Sequence, residues 1–187
     1  MIDLGFMRGH RVGVVGLGKS GISVARALAE AGADVVAWDD HYDVRLAASQ
    51  EDVAVVDLLS MNLEGFSCLV WSPGIPHTFP EPHPLAQHAR AHNVPLICDV
   101  ELLCYAHRQA DFIGITGTNG KSTTTALIGH ILSHFRNVQV GGNIGVAVSS
   151  LEPLGADGSY VIEMSSYQLE LTPSFSPVGA VLLNITP

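Results

Sequence analysis

At 187 residues, with 47% hydrophobic and 14% charged residues, the chain can bury one large core or two small ones and is not a disordered segment. Nine Lys and Arg against 18 Asp and Glu give a net charge of −9. That balance excludes a non-specific nucleic-acid binder, and any anionic ligand must be held by local donors rather than by an overall positive field.

No apolar run reaches the roughly 18–20 residues needed to span a bilayer. Residues 1–11 also lack the basic-then-apolar layout of a signal peptide, so no membrane insertion is expected. The three cysteines, Cys68, Cys98 and Cys104, are odd in number and form no C-x-x-C pair. Cys68 and Cys98 sit in apolar runs and suit small buried hydrophobes in a reducing compartment, so the cytoplasm is the expected address.

In chain order, Arg11–Val15 is a β-branched run leading into Gly16-Leu17-Gly18-Lys19-Ser20-Gly21. A helix pattern follows over Ile22–Ala31, and Asp34–Trp38 is a second apolar strand ending at Asp39-Asp40. This is a βαβ unit with G-x-G-x-x-G at its first turn and an acidic residue 18 positions after Gly21. Glycines there allow a tight turn and close approach of backbone to a diphosphate, and an Asp after the second strand accepts from a ribose or base. Lys19 reads equally as a phosphate partner or a solvated lysine.

Strands are expected at Val53–Val56, at Phe66–Trp71 and at Val94–Cys98, with helices over Pro84–His92 and Val100–His107. Ser72-Pro73-Gly74-Ile75-Pro76 is a rigid turn at a strand's C-terminal end, where open α/β sheets place ligands; plain turn chemistry accounts for it as well. His88/His92 and His130/His134 have the i, i+4 spacing of helical metal ligands. Neither pair has a carboxylate at motif spacing, so solvated helix faces are the expected reading.

The next strand, Phe112–Ile115, ends in Thr116-Gly117-Thr118-Asn119-Gly120-Lys121-Ser122-Thr123, and Thr125–Phe135 is helical in pattern. Strand, Gly-rich loop and helix N-terminus in that order make a phosphate-binding loop. The backbone N–H groups and the helix dipole face the anion, Lys121 reaches the β/γ-phosphates, and the Ser122 hydroxyl is placed for Mg²⁺. The general pattern wants a glycine where Ile115 stands. Val138–Val140 is a strand ending in Gly141-Gly142-Asn143-Ile144-Gly145, Ser159–Met164 another, and Val178–Ile185 the last. Glu163 closes a strand of buried type, where a carboxylate is costly unless paired. It is a candidate second Mg²⁺ ligand beside Ser122, with a helix N-cap role as the alternative.

Strands and helices alternate throughout. The expected fold is α/β: a Rossmann-like parallel-sheet domain over 1–108, then the first part of a P-loop ATPase-type α/β domain over 109–187.

The Gly16–Gly21 turn, Ser72-Pro73-Gly74-Ile75, the Thr116–Ser122 loop, Gly141–Gly145 and Glu163-Met164-Ser165-Ser166-Tyr167-Gln168-Leu169-Glu170 resemble, in this order, the motifs of the Mur ligase family. The family's own loop has the form T-G-T-N-G-K, which accounts for the missing early glycine. The resemblance covers nearly the whole chain. It implies a first domain that holds the UDP part of a substrate, with Gly16–Gly21 at the diphosphate, Asp39 or Asp40 toward the uracil and ribose, and Ser72, Pro73 and Gly74 nearby. It implies MgATP held by Gly117–Thr123, with Thr118, Lys121, Ser122 and Glu163 foremost. Asn143, Ser165 and Gln168 match positions that in the family face substrate or metal.

The implied reaction activates the carboxylate of UDP-N-acetylmuramoyl-L-alanine with the γ-phosphoryl of ATP and transfers the acyl group to D-glutamate, in peptidoglycan precursor synthesis. Lys121 and Asn143 then bear on the chemistry. The resemblance further implies that this is an N-terminal portion of such a ligase, inactive by itself and monomeric when full length. The family's adenine and amino-acid contacts, second-metal histidine and carbamylated lysine fall beyond Pro187. Two other readings remain: an NAD(P)-dependent oxidoreductase, which leaves the Lys121 loop unexplained, and a P-loop kinase or ATPase, which leaves Gly141–Gly145 and Ser165–Glu170 unexplained.

Overall fold

The computed structural model describes residues 2–51, 53–143 and 145–186. They divide into two compact units, one over Asp3–Asp99 and one from Val100 onward, to which Ile2 also belongs.

In the first unit, strands β1 (Arg11–Val15), β2 (Asp34–Trp38), β3 (Phe66–Trp71) and β4 (Leu96–Ile97) form a parallel sheet in the order β2-β1-β3-β4. Three helices accompany them: α1 (Lys19–Glu30), α2 (Tyr42–Ser49) and α3 (Pro84–Ala91). A central parallel strand has neighbours on both sides, so β1 is apolar at nearly every position, with Val12, Val14 and Val15 all buried. The chain leaves β1 in one direction to make β2 and returns past it to make β3. The C-terminal ends of β1 and β3 therefore flank a topological switch point, the usual place for a ligand crevice in such sheets.

Two elements differ from expectation. Val53–Val56 makes only a lone parallel bridge, Ala37 to Val55, rather than a strand. The Asp57 carboxylate takes the Leu59 N–H at 3.0 Å and the Ser60 hydroxyl at 2.6 Å, and the resulting turn carries the chain off the sheet edge. Helix α2 has no strong sequence signal, since only Ala48 in it is buried. Tertiary contacts of Arg45, described below, hold it.

In the second unit, β5 (Asp111–Thr116), β6 (Asn137–Gly142), β7 (Gly158–Glu163) and β8 (Gly179–Leu182) form a second parallel sheet in the order β6-β7-β5-β8. Helix α4 (Asp99–Ala106) leads into it, α5 (Lys121–Leu132) follows β5, and α6 (Ser166–Glu170) follows β7. The aromatic core is a stack of Phe112 on Tyr160 with centroids 5.4 Å apart, flanked by His107 and Phe175. Arg136, at the foot of the sheet, donates to the Asp111 carboxylate at 2.7 Å and to the carbonyls of Asp157 and Gly158, tying the starts of β5 and β7.

The units divide at 99/100, whereas the sequence boundary is expected at 108/109. The physical reason lies in α4. Its Glu101 is fully buried and accepts the Ser174 N–H at 3.1 Å, so the helix is tied into the second unit. All three cysteines are buried, and none is joined in a disulfide. Burial pushes the Cys68 thiol up to about 12, so it stays protonated near neutrality. Among the described residues no helix is long and apolar enough to cross a membrane.

Candidate functional site

In the first unit the ends of β1 and β3 and the start of α1 flank a shallow open hollow lined by Gly16, Ser20, Gly21, Trp71, Ser72 and Pro73 among others. Gly16 turns the chain at φ +91°, and Gly18 is the N-cap of α1. Lys19 and Ser20 therefore lie on the first helical turn rather than in the loop, and both are exposed. The N–H groups of that turn have no intrahelical partner and face outward with the positive end of the dipole. Leu17 contributes backbone only, because its side chain is buried.

Asp39 is buried and faces inward. Its Oδ2 accepts the Leu17 N–H at 2.8 Å, and its Oδ1 accepts the His41 N–H at 2.9 Å and meets His41 Nδ1 at 3.0 Å. Burial opposes its ionisation, yet the Leu17 and His41 N–H groups and the His41 ring outweigh burial and hold the carboxyl below the usual range. Both oxygens are thus committed to shaping the turn. Asp40 is the exposed one of the pair: its oxygens meet Trp38 Nε1 at 3.1 Å and His83 Nε2 at 2.8 Å. His83 also caps α3, its Nδ1 accepting the Leu85 N–H, which fixes the proton on Nε2 for donation to Asp40. Arg45 stacks over Trp38 at 4.3 Å and donates to the carbonyls of Asp39 and Asp40. The third edge of the hollow is the turn after β3, where Ser72 N–H bonds to the Val15 carbonyl and Ile75 N–H to that of Ser72. Gly74 is exposed at its tip.

A depressed carboxyl contributes stability that is present above its unfolded pKa and is lost as pH falls through the folded one. Asp39→Asn is therefore expected to lower the stability of the first unit at pH 7 and to flatten its decline below about pH 4. Urea melts of both proteins across that range check this; parallel curves would contradict it.

In the second unit the loop after β5 runs through Gly117 at φ +140° to Gly120 at φ +83°, which is the N-cap of α5. Lys121 folds back over it, donating to the Gly117 carbonyl at 2.8 Å and the Thr118 carbonyl at 3.2 Å. Glu163 ends β7 beside the loop because Ile115 pairs with it on one side and Gly142 on the other. Buried at 2% exposure, its carboxylate accepts the Ser122 hydroxyl at 2.8 Å on Oε2, and Asn143 Nδ2 lies 3.4 Å from Oε1. The structure thus brings Lys121, Ser122, Asn143 and Glu163 together around the loop. It does not make Glu163 a helix cap. Ser165 has that role on α6, in a capping box with Gln168, whose buried side chain accepts the Ser165 N–H at 3.0 Å. Ile144 of the Gly141–Gly145 stretch lies outside the described residues.

One carboxylate and one hydroxyl, both hard oxygen donors, fit a Mg²⁺ that completes its shell with waters and phosphate oxygens. Among the described residues no group of three or more His, Cys, Asp or Glu could hold a metal. The His88/His92 and His130/His134 rings lean on each other with centroids 4.5 and 4.9 Å apart, and His88 Nε2 meets the Met61 carbonyl.

Sequence reasoning passed over Asn184. This residue, just past β8, takes the Asn119 N–H on Oδ1 at 2.9 Å, donates from Nδ2 to the Asn119 carbonyl at 3.1 Å, and accepts the Thr118 N–H on its own carbonyl at 3.0 Å. A polar residue ending the apolar run Val181–Leu183 was its one local signal. His41, Arg45 and His83 likewise carry no motif.

Two parallel α/β units, each with a glycine-rich turn between a strand and a helix N-terminus, present outward N–H groups of the kind that suit an anion. Models of two domain families match the chain: "Mur ligase MurD-like, N-terminal domain" over residues 10–98 and "Mur ligase middle domain" over 115–187. The chain belongs to the Mur ligase family. It is 55% identical over its whole length to the UDP-N-acetylmuramoylalanine–D-glutamate ligase of Rhodospirillum rubrum, and 52% identical to that of Paramagnetospirillum magneticum. It spans 40% and 41% of those proteins' lengths. Among solved structures, a murein peptide ligase from Psychrobacter arcticus matches 96% of this chain and 44% of its own, with a TM-score of 0.55 at 17% identity, a likeness of fold.

Proposed function

We propose that this chain is the N-terminal portion of a UDP-N-acetylmuramoyl-L-alanine:D-glutamate ligase that uses MgATP, its first unit holding the UDP end of the substrate and its second the triphosphate. The observation that carries this reading is the convergence of Lys121, Ser122, Asn143 and Glu163 on one loop. High identity to ligases of that name supports the choice of substrate.

The chemistry asked of these residues is positioning and charge neutralisation. Lys121 exchanges its two carbonyl partners for phosphate oxygens, and the first-turn N–H groups of α5 take others. Bound Mg²⁺, held by Ser122 and Glu163, would neutralise charge on the phosphates. The substrate carboxylate attacks the γ-phosphorus, ADP leaves, and the amine of D-glutamate then displaces phosphate from the acyl phosphate to form the amide. In the first unit, exposed N–H groups of Gly18–Ser20 face the diphosphate and Asp40 the nucleoside, while Asp39 keeps the turn in shape. Asp39 accepts the Leu17 and His41 N–H groups, so Asp40 is the more exposed carboxylate of the pair toward a nucleoside. A cytoplasmic location and a monomeric full-length enzyme fit this reading.

Calorimetric titration with UDP-N-acetylmuramoyl-L-alanine, UDP, NAD⁺ and MgATP in turn tests it. Heat from the UDP ligands and MgATP but not from NAD⁺ is the expected result. Binding of NAD⁺ without UDP would return the chain to the dehydrogenase class.

A further inference from the structure

Asn184 meets the phosphate loop as one strand meets another. Its carboxamide pairs with both the N–H and the carbonyl of Asn119, 65 residues away, and its backbone carbonyl takes the N–H of Thr118. Leu183 N–H bonds to the Thr116 carbonyl and Thr186 N–H to the Thr118 hydroxyl, so residues 183–186 run along the loop for its whole first half. The fit is close: a Cβ on Gly117 would stand 3.1 Å from Leu183 Cβ and 3.2 Å from the backbone N and O of Asn184. The N–H groups of Thr118 and Asn119 are thereby used by protein, whereas those of Lys121, Ser122 and Thr123 are first-turn donors without intrahelical partners.

We propose that Asn184 is the positioning residue of the phosphate loop. It holds Thr118 and Asn119 through protein contacts alone, so that the loop's curvature does not depend on a ligand, and it leaves the anion to the first turn of α5 and to Lys121. The inference rests on the phosphate-loop reading above and goes beyond it in dividing the loop into a held half and a binding half. Preorganisation of this kind improves affinity because the ordering is complete before the ligand arrives.

The test combines amide exchange with titration on the 187-residue chain. Without ligand, the Thr118 and Asn119 amides are expected to be protected and those of Lys121–Thr123 open; MgATP then protects the latter. Asn184→Ala removes two hydrogen bonds and is expected to speed exchange at Asn119 and to weaken MgATP binding by about 10-fold, with the thermal midpoint little changed. Asn184→Ser, which loses the same carboxamide pair, gives the same result by an independent route should the alanine variant misfold. A merely structural asparagine would shift the midpoint without selectively opening Asn119. If Lys121→Ala weakens MgATP binding while both Asn184 variants bind as the parent does, the positioning role is overturned and the loop assignment stands. If Lys121→Ala also binds as the parent does, the loop assignment itself fails.

Discussion

Replacing Lys121 by alanine is expected to weaken MgATP binding by about 2 kcal/mol, or about 30-fold, the scale of a hydrogen bond to a charged group. The size follows from the surroundings. Lys121 is the single cation between Thr116 and Thr125, and the chain as a whole carries −9, so no background field compensates for its loss. Its ammonium donates to the Gly117 and Thr118 carbonyls at 2.8 and 3.2 Å. Those two bonds must be exchanged for phosphate contacts, which keeps the net gain well below the gross Coulomb attraction. Arginine is not an adequate substitute, because its planar fork is longer and cannot fold into the same turn. Calorimetry on the alanine and arginine variants decides the matter; an alanine variant that binds MgATP as tightly as the parent would remove the phosphate-loop assignment.

The second large effect is expected at Gly21, and it is one of stability. A Cβ there would lie 1.9 Å from the Gly16 carbonyl oxygen and 3.0 Å from the Gly16 carbonyl carbon. Both are backbone atoms, and Gly16 cannot retreat because its own N–H is bonded to the Trp38 carbonyl at 2.8 Å and Ser72 stands behind it. Helix α1 would have to lift from the end of β1. Gly21→Ala should therefore destabilise the first unit by about 3 kcal/mol, at the upper end of overpacking costs, and remove UDP binding with it. Gly18→Ala provides the control. Nothing lies within 4 Å of its added Cβ, its φ of −64° suits any residue, and its effect on stability should stay within about 0.5 kcal/mol. Chemical denaturation of the two variants separates a requirement of geometry from a requirement for glycine as such.

Much of the candidate site is legible in sequence because its parts are local. Gly16–Gly21 and Gly117–Ser122 each sit at the junction of an apolar run and a helical pattern, and strand, turn and helix N-terminus follow from spacing alone. The helices begin earlier than periodicity indicates, α1 at Lys19 and α5 at Lys121, since the first turn of a helix facing a ligand is polar and carries no apolar repeat. Helix α6 was legible in principle: Ser165 and Gln168 have capping-box spacing. Val53–Val56 misled because β-branched residues satisfy a strand pattern whether or not a sheet edge is there to receive them.

Local spacing is enough to locate two glycine-rich strand-to-helix turns on two α/β units, the lysine and serine of the second, and Glu163 at the end of a strand of buried type. Only tertiary structure decided that Ser122 meets Glu163 across 41 residues, that His83 reaches Asp40 across 43, and that Asn184 is pressed against Asn119 across 65. The reason lies in the parallel sheet. Each neighbouring strand arrives by a crossover of a dozen residues or more, so side chains that share one end of the sheet are remote in sequence. No local pattern records which strand lies beside which. Asp39 carries the same lesson in its orientation: spacing located an acid at the end of β2, and the packing of Leu17 and His41 around it turned that acid inward.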